Sequence, residues 1–203
     1  MVVEAVPRRR AIESVASSLF RERGYAATSV RDIARALDIR GASLYAHVAS
    51  KEDVLWAIVD RAANAFESSA TAALEAQANA TPRERLGALV RAHVGVIASD
   101  PTLTSVFVHE WRHLSDPRRE AILARRDAYE HRFRDVIGEG VRTGVFAAVD
   151  APLAATFILT ALNGLATWYR SDGRISAGAL ADEYADLAVA AVTDAARSLE
   201  ASR

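Results

Sequence analysis

The sequence predicts an all-α protein, with an N-terminal three-helix helix-turn-helix domain and a longer C-terminal helical domain, about nine helices in all. Three observations predict this. Apolar residues recur at three- and four-residue spacing along almost the whole chain. The breaks between these runs carry Ser, Thr or Asp where helices begin, and Gly or Asp-Pro where they end. No segment alternates apolar and polar residues convincingly as a strand does, and no solenoid-type repeat is present.

The elements follow in order. Ile12, Val15, Ala16, Leu19 and Phe20 mark a first helix, ended by Gly24. Thr28-Ser29 opens a second, where Ser29 and Asp32 resemble a capping box with Asp in place of the usual Glu. Its core face is Val30, Ile33, Ala34 and Leu37. A step over 38–41 leads into a short helix around 42–47. Ser50 caps a long helix opening Lys51-Glu52-Asp53, where two acids suit the helix dipole. Thr81-Pro82 starts the next, with Pro at the first helical position. Leu103, Val106, Phe107, Trp111 and Leu114 mark a shorter helix. Ser115-Asp116-Pro117 starts a longer one, ended by Gly144. Asp150-Ala151-Pro152 opens a helix apolar almost all round, closed by Ser171-Asp172-Gly173. The last runs from about residue 177 through Leu180, Tyr184, Leu187, Val192 and Leu199.

Half of the 203 residues are apolar, enough for a sizeable core. The absence of cysteine excludes disulfides, thiolate zinc sites and cysteine nucleophiles, and fits a cytoplasmic protein. The start, MVVEAVPRRR, does not read as a secretory signal. No apolar run is expected to span a bilayer, and no membrane partner is expected. Net charge is −1, but it is uneven. Residues 1–50 hold eight arginines against five acids, a balance of +3; the rest holds 17 basic and 21 acidic residues, a balance of −4. A basic head on an acidic body points to a DNA-facing end.

The stretch GASLYAHVASKEDVL carries the chemistry of that head. A helix that enters the major groove needs a slim leading edge, which Gly41, Ala42 and Ser43 provide. Arg40, Ser43 and Arg31 are the candidate base readers, and arginine is the best reader of guanine. Tyr45 and His47 have polar tips for phosphate, as do Thr28 and Ser29 at the opening of the second helix. Lys51 stands at a helix N-terminus, where free N–H groups already favour an anion.

These residues carry a family resemblance. Ala16…Phe20…Gly24-Tyr25…Thr28-Ser29-Val30-Arg31-Asp32-Ile33-Ala34, then Ser43-Leu44-Tyr45-Ala46-His47-Val48…Ser50-Lys51-Glu52-Asp53-Val54-Leu55, resembles the DNA-binding domain of the TetR family of bacterial transcriptional repressors over residues 12–58. Four positions depart from its pattern: Asp38 and Ala42 where the family has Gly, Arg40 where it has a capping Ser or Thr, and Val48 where it has Phe. Asp tolerates the left-handed turn that Gly would make. These departures bear on the operator sequence, not on the fold.

The resemblance implies a homodimer on palindromic double-stranded operator DNA. It divides the chain into residues 1–50, the DNA-binding domain extending into the start of helix 51–78, and residues 51–203, the ligand-binding and dimerisation domain. It implies a four-helix interface from the last two helices of each subunit, with Leu153, Phe157, Leu165, Trp168, Leu187 and Val192 as candidates. It also implies a ligand that respaces the two recognition helices.

Trp111-Arg112, Arg118-Arg119, Asp127-x-Tyr129-Glu130 and the run Trp168-Tyr169-Arg170-Ser171-Asp172-Gly173-Arg174-Ile175-Ser176 together resemble regulators of fatty-acid, aromatic-acid or sterol-ring degradation, which implies an acyl-CoA effector and release of a repressor. An acyl group needs apolar walls, for which Phe107, Trp111, Tyr129, Phe133, Phe157 and Leu162 are candidates. CoA phosphates need arginine, for which Arg112, Arg118, Arg126 and Arg170 are candidates. Asn163 is either a pocket polar group or a helix–helix hydrogen bond. The alternative effector is a lipophilic drug sensed by a regulator of efflux.

The rival class is an enzyme. His109-Glu110-Trp111-Arg112-His113 is a literal H-E-x-x-H, which on one helix turn binds zinc with the Glu as base. A third ligand would still be needed, with only Glu130 or His131 on offer, the motif is short, and no strand-built cleft accompanies it, so no catalytic, metal or cofactor site is expected. His93 and His131 read as surface or core residues without special roles. A purely structural helical dimer is a third class, and leaves the grouping of Ser43, Tyr45, His47 and Lys51 without a reason.

Overall fold

The computed structural model describes residues 5–193, and Leu199, expected on the last helix, lies outside them. Nine α-helices fill the described residues, and no strand occurs among them. They are α1 (Ala5–Arg23), α2 (Val30–Ala36), α3 (Gly41–Tyr45), α4 (Lys51–Ala76), α5 (Pro82–Ser99), α6 (Pro101–His109), α7 (Asp116–Arg142), α8 (Ala151–Trp168) and α9 (Ala177–Thr193).

The cap residues set the boundaries. Ser29 accepts from the Asp32 N–H while the Asp32 carboxylate accepts from the Ser29 N–H, a complete capping box on α2. Thr81 and Glu84 do the same for α5, with Pro82 at its first turn. Asp150 caps α8 through the Leu153 N–H at 2.8 Å. Gly24 and Gly144 end α1 and α7 at φ 81° and 72°, conformations that cost an L-residue a Cβ clash.

One expected helix is broken. The run 103–114 is not continuous: α6 stops at His109, and a single 3-10 turn, Trp111–His113, follows. The break turns the Trp111 indole into the core, where it is 6% exposed.

The chain forms two compact units. Among the described residues, the first comprises 5–64 together with Thr102–Ala124; the second comprises Ala65–Pro101 and 125–193. The first unit therefore includes a segment far along the chain, held to the helix-turn-helix by side chains described below. Its core contains Ile12, Phe20, Ile33, Leu44, Leu55 and Leu114, all essentially without solvent contact. At about 1.5–3 kcal/mol per fully buried large apolar side chain, these six outweigh any single polar contact in the unit.

In the second unit, α5 packs along α9, where Gly87 leaves room for the Arg91 guanidinium. Arg91 reaches Asp182 at 2.7 Å, and Arg85 reaches Glu139 at 2.5 Å. α8 corrects one expectation. With 18 residues and a mean hydropathy of 1.3, it is long and apolar enough to cross a bilayer by length and composition.

Candidate functional site

In the first unit, the capping box starts α2 and the turn after it reverses the chain at Asp38, which sits at φ 53°. Aspartate reaches this region because its short polar side chain tolerates it. α3 follows, with Arg40 at its N-cap making no side-chain cap bond. Leu44 anchors α3 in the core, and its neighbours consequently face outward: Ala42, Ser43 and Tyr45 are exposed, and Gly41 and His47 are half-buried. Arg31 and Arg40 are exposed too, beside a hollow of about 390 Å3 lined by Arg31, Arg35, Asp38, Ile39, Arg40 and Gly41. Arg35, four residues beyond Arg31 on the same helix face, was missed, although its spacing made it findable.

Three expected DNA contacts are engaged elsewhere. Thr28 is 1% exposed, and its hydroxyl donates to the carbonyls of Gly24 and Leu19. A buried hydroxyl needs such partners, so this side chain serves the turn and not DNA. Lys51 donates from Nζ to the carbonyls of Tyr25 and Thr28 at 2.8 and 2.7 Å, and lies 4.1 Å from the centroid of the Tyr25 ring. An ammonium has three donors, so one N–H remains for an outside acceptor. The Ser29 hydroxyl is likewise held, donating to Asp32.

Tyr25 is the hub of the α1–α2 turn. Its N–H donates to Glu110 at 3.1 Å, and its ring stacks on His113 at 5.3 Å. The H-E-x-x-H residues thus hold a turn. α6 ends between the two histidines, so they do not share a helical turn, and the described residues contain no group of three or more metal-type ligands.

A charge cluster holds the rest of the late segment. Arg118 reaches Asp53 at 2.5 Å and Glu52 at 3.3 Å, and the Ser115 N–H and hydroxyl both donate to Glu52. The hydrogen bonds from Ser115 hold the Glu52 carboxyl below its usual range, and the Arg118 hydrogen bond does the same for Asp53. Arg118, expected at a CoA phosphate, is engaged by these two carboxylates.

The other expected effector residues divide between the units. Phe107 and Trp111 are buried in the first, and the Arg112 guanidinium stacks on the Trp111 ring at 4.6 Å. In the second, Tyr129, Phe133 and Leu162 are buried, while Arg126 and Asn163 are half-buried. Arg170 is exposed and paired with Asp172 at 3.0 Å. Phe157 is 63% exposed, which corrects its assignment to a pocket wall.

The expected interface residues also separate. Leu153, Phe157 and Trp168 on α8 and Leu187 on α9 are 69, 63, 52 and 63% exposed. Leu165 and Val192, at 0 and 1%, belong to the subunit's own core, which corrects their assignment to a partner contact. Periodicity marked all six as apolar but does not say which of two buried faces each one serves.

A slim, outward-facing short helix after a capped helix and a tight turn, bordered by arginines, defines a helix-turn-helix DNA-binding regulator. Residues 12–58 match the family described as bacterial regulatory proteins, tetR family, and residues 79–192 match the tetracyclin repressor-like C-terminal domain. The chain belongs to the TetR family of transcriptional regulators. It is 30% identical over 190 residues to the HTH-type transcriptional repressor KstR2 of Mycobacterium tuberculosis, covering 92% of this chain and 93% of that protein. The structure of that ketosteroid transcriptional regulator gives a TM-score of 0.85 at 29% identity, over 92% of this chain and 95% of the other. PfmR from Thermus thermophilus gives 0.79 at 35% identity, over 88% and 96%. AibR, solved with isovaleryl coenzyme A and operator DNA, gives 0.77 at 28% identity, over 91% and 97%. These relatives are regulators of transcription, not enzymes, and a DNA-binding regulator of this kind works in the cytoplasm.

Proposed function

We propose that the protein is a homodimeric, nucleoid-associated repressor, released from a palindromic operator by an acyl-CoA thioester of lipid, sterol or aromatic-acid breakdown. The similarity to AibR, solved with an acyl-CoA and DNA together, is the observation that carries the effector class. The similarity to a KstR2 repressor points the same way.

In this reading Arg31, Arg40 and Ser43 meet base edges, and Gly41 and Ala42 let the backbone approach. Tyr45, His47 and the remaining N–H of Lys51 meet phosphates, while Ser29 places α2 against the backbone. The exposed apolar stripe Leu153, Phe157 and Trp168, with Leu187, supports a two-fold interface. Eight such side chains across a dyad release on the order of 10–20 kcal/mol, similar to the ~4–15 kcal/mol cost of association, so the smaller residues of both faces must pack as well. The effector would act by respacing the two recognition helices relative to successive major grooves.

Mobility shifts on a duplex selected from random sequence test this reading. Acyl-CoA thioesters from butyryl to palmitoyl, and a ring-bearing thioester, are expected to release the DNA, and free CoA is not. Release by lipophilic drugs and not by any thioester would overturn it in favour of an efflux regulator.

A further inference from the structure

One buried hydrogen-bonded pair in the second unit leaves part of its polar capacity unused. His93 on α5 is 3% exposed, and its Nδ1 lies 3.0 Å from the Tyr129 hydroxyl on α7. The opposite nitrogen, Nε2, is buried without a hydrogen-bond partner among the described residues. The ring sits among aromatics: Phe66 is 4.6 Å away, Tyr129 is 5.9 Å from Phe66, and Phe133 is 5.7 Å from Tyr129. An unsatisfied buried polar atom costs about 1–3 kcal/mol, and apolar side chains at both 93 and 129 would avoid that cost. Leu89, Val90, Val94 and Ile97, its buried neighbours on α5, are all apolar.

Both groups are neutral. Burial, then the positive charge of Arg126, pushes the His93 pKa down to about 3. Burial pushes the Tyr129 pKa up. A neutral imidazole and a phenol that share one hydrogen bond have one further N–H or O–H to offer, whichever tautomer is present. If Tyr129 donates to Nδ1, the Nε2–H is left over; if Nδ1–H donates to Tyr129, the phenol proton is left over. A lone neutral donor within an aromatic box suits an uncharged acceptor attached to carbon, such as a carbonyl oxygen.

We propose that the His93–Tyr129 pair is the polar recognition point of the effector site, donating to the carbonyl oxygen of the acyl group while its carbon chain or ring lies against Phe66 and Phe133. The proposal rests on the acyl-CoA reading and deepens it, because it makes the carbonyl, and not the chain alone, the feature that is sensed.

Calorimetric titration of the full chain with octanoyl-CoA and with S-octyl-CoA tests it. The second probe is a thioether of equal chain length that lacks the carbonyl; butyryl and palmitoyl pairs extend the series. Wild type is expected to bind the thioester roughly ten-fold more tightly than the thioether. His93→Phe and Tyr129→Phe are each expected to bring the two probes within about two-fold, chiefly by weakening the thioester. His93→Gln, which keeps a donor, is expected to retain part of the preference. Thermal melts check that each variant folds, and the wild-type comparison stands even if one does not. Equal binding of both probes by wild type, or a preference that survives in folded His93→Phe and Tyr129→Phe, overturns the proposal and leaves the acyl-CoA reading intact. Failure of every thioester to bind overturns both.

Discussion

Lys51 has two claims on one ammonium. Two donors are fixed on the Tyr25 and Thr28 carbonyls, which ties the start of α4 to the α1–α2 turn. Lys51→Ala is therefore expected to lower stability by about 1–3 kcal/mol, seen as a drop in Tm, because two charge-assisted bonds are lost. If the third donor also meets phosphate, the same variant reduces the salt slope of DNA binding by about one unit. A lowered Tm with an unchanged slope would assign Lys51 to the fold alone. Tyr45 is the opposite case. It is 56% exposed, so Tyr45→Ala is expected to weaken DNA binding by about ten-fold while leaving Tm unchanged. Loss of Tm instead would make it a packing residue.

At the level of elements, the late segment is fastened to the start of α4 by Arg118, Glu52, Asp53 and Ser115. The folded-state carboxyl pKa values lie below their ordinary 4.5 and 3.8. This contribution is therefore complete above the ordinary values and is lost as pH falls through the lowered ones. Arg118→Met is expected to cost about 1 kcal/mol at neutral pH, and the Tm gap to wild type is expected to narrow as pH falls below about 4. A gap independent of pH would show that Arg118 acts by packing. α7 holds another such device. Gly140 accepts the N–H groups of Val145 and Phe146, and the Phe146 ring covers the place a Cβ would occupy. Gly140→Ala is expected to destabilise by about 1–3 kcal/mol, read from urea melts, because the ring must move.

For the whole molecule, the exposed stripe on α8 and α9 is the surface on which the proposed dimer would form. Phe157→Glu is expected to yield monomers in sedimentation experiments, with duplex binding reduced by orders of magnitude, because one half-site is held without the other. A dimer that survives would move the interface elsewhere. The sequence by itself determined the helices and most of their ends, because caps and apolar spacing are local properties: Ser29–Asp32, Thr81-Pro82 and Gly144 could be read directly. It also determined the outward edge around Ser43 and Tyr45, since a short helix has few ways to turn once Leu44 is buried. The tertiary structure decided what distant residues do to one another. Only the fold brings Glu110 and His113 to Tyr25, leaves Lys51 a single free donor, and separates exposed Phe157 from buried Leu165 on one apolar helix. Only the fold encloses His93 with one nitrogen satisfied. Such outcomes depend on contacts between residues far apart in the chain, and helical periodicity identifies a face without naming its partner.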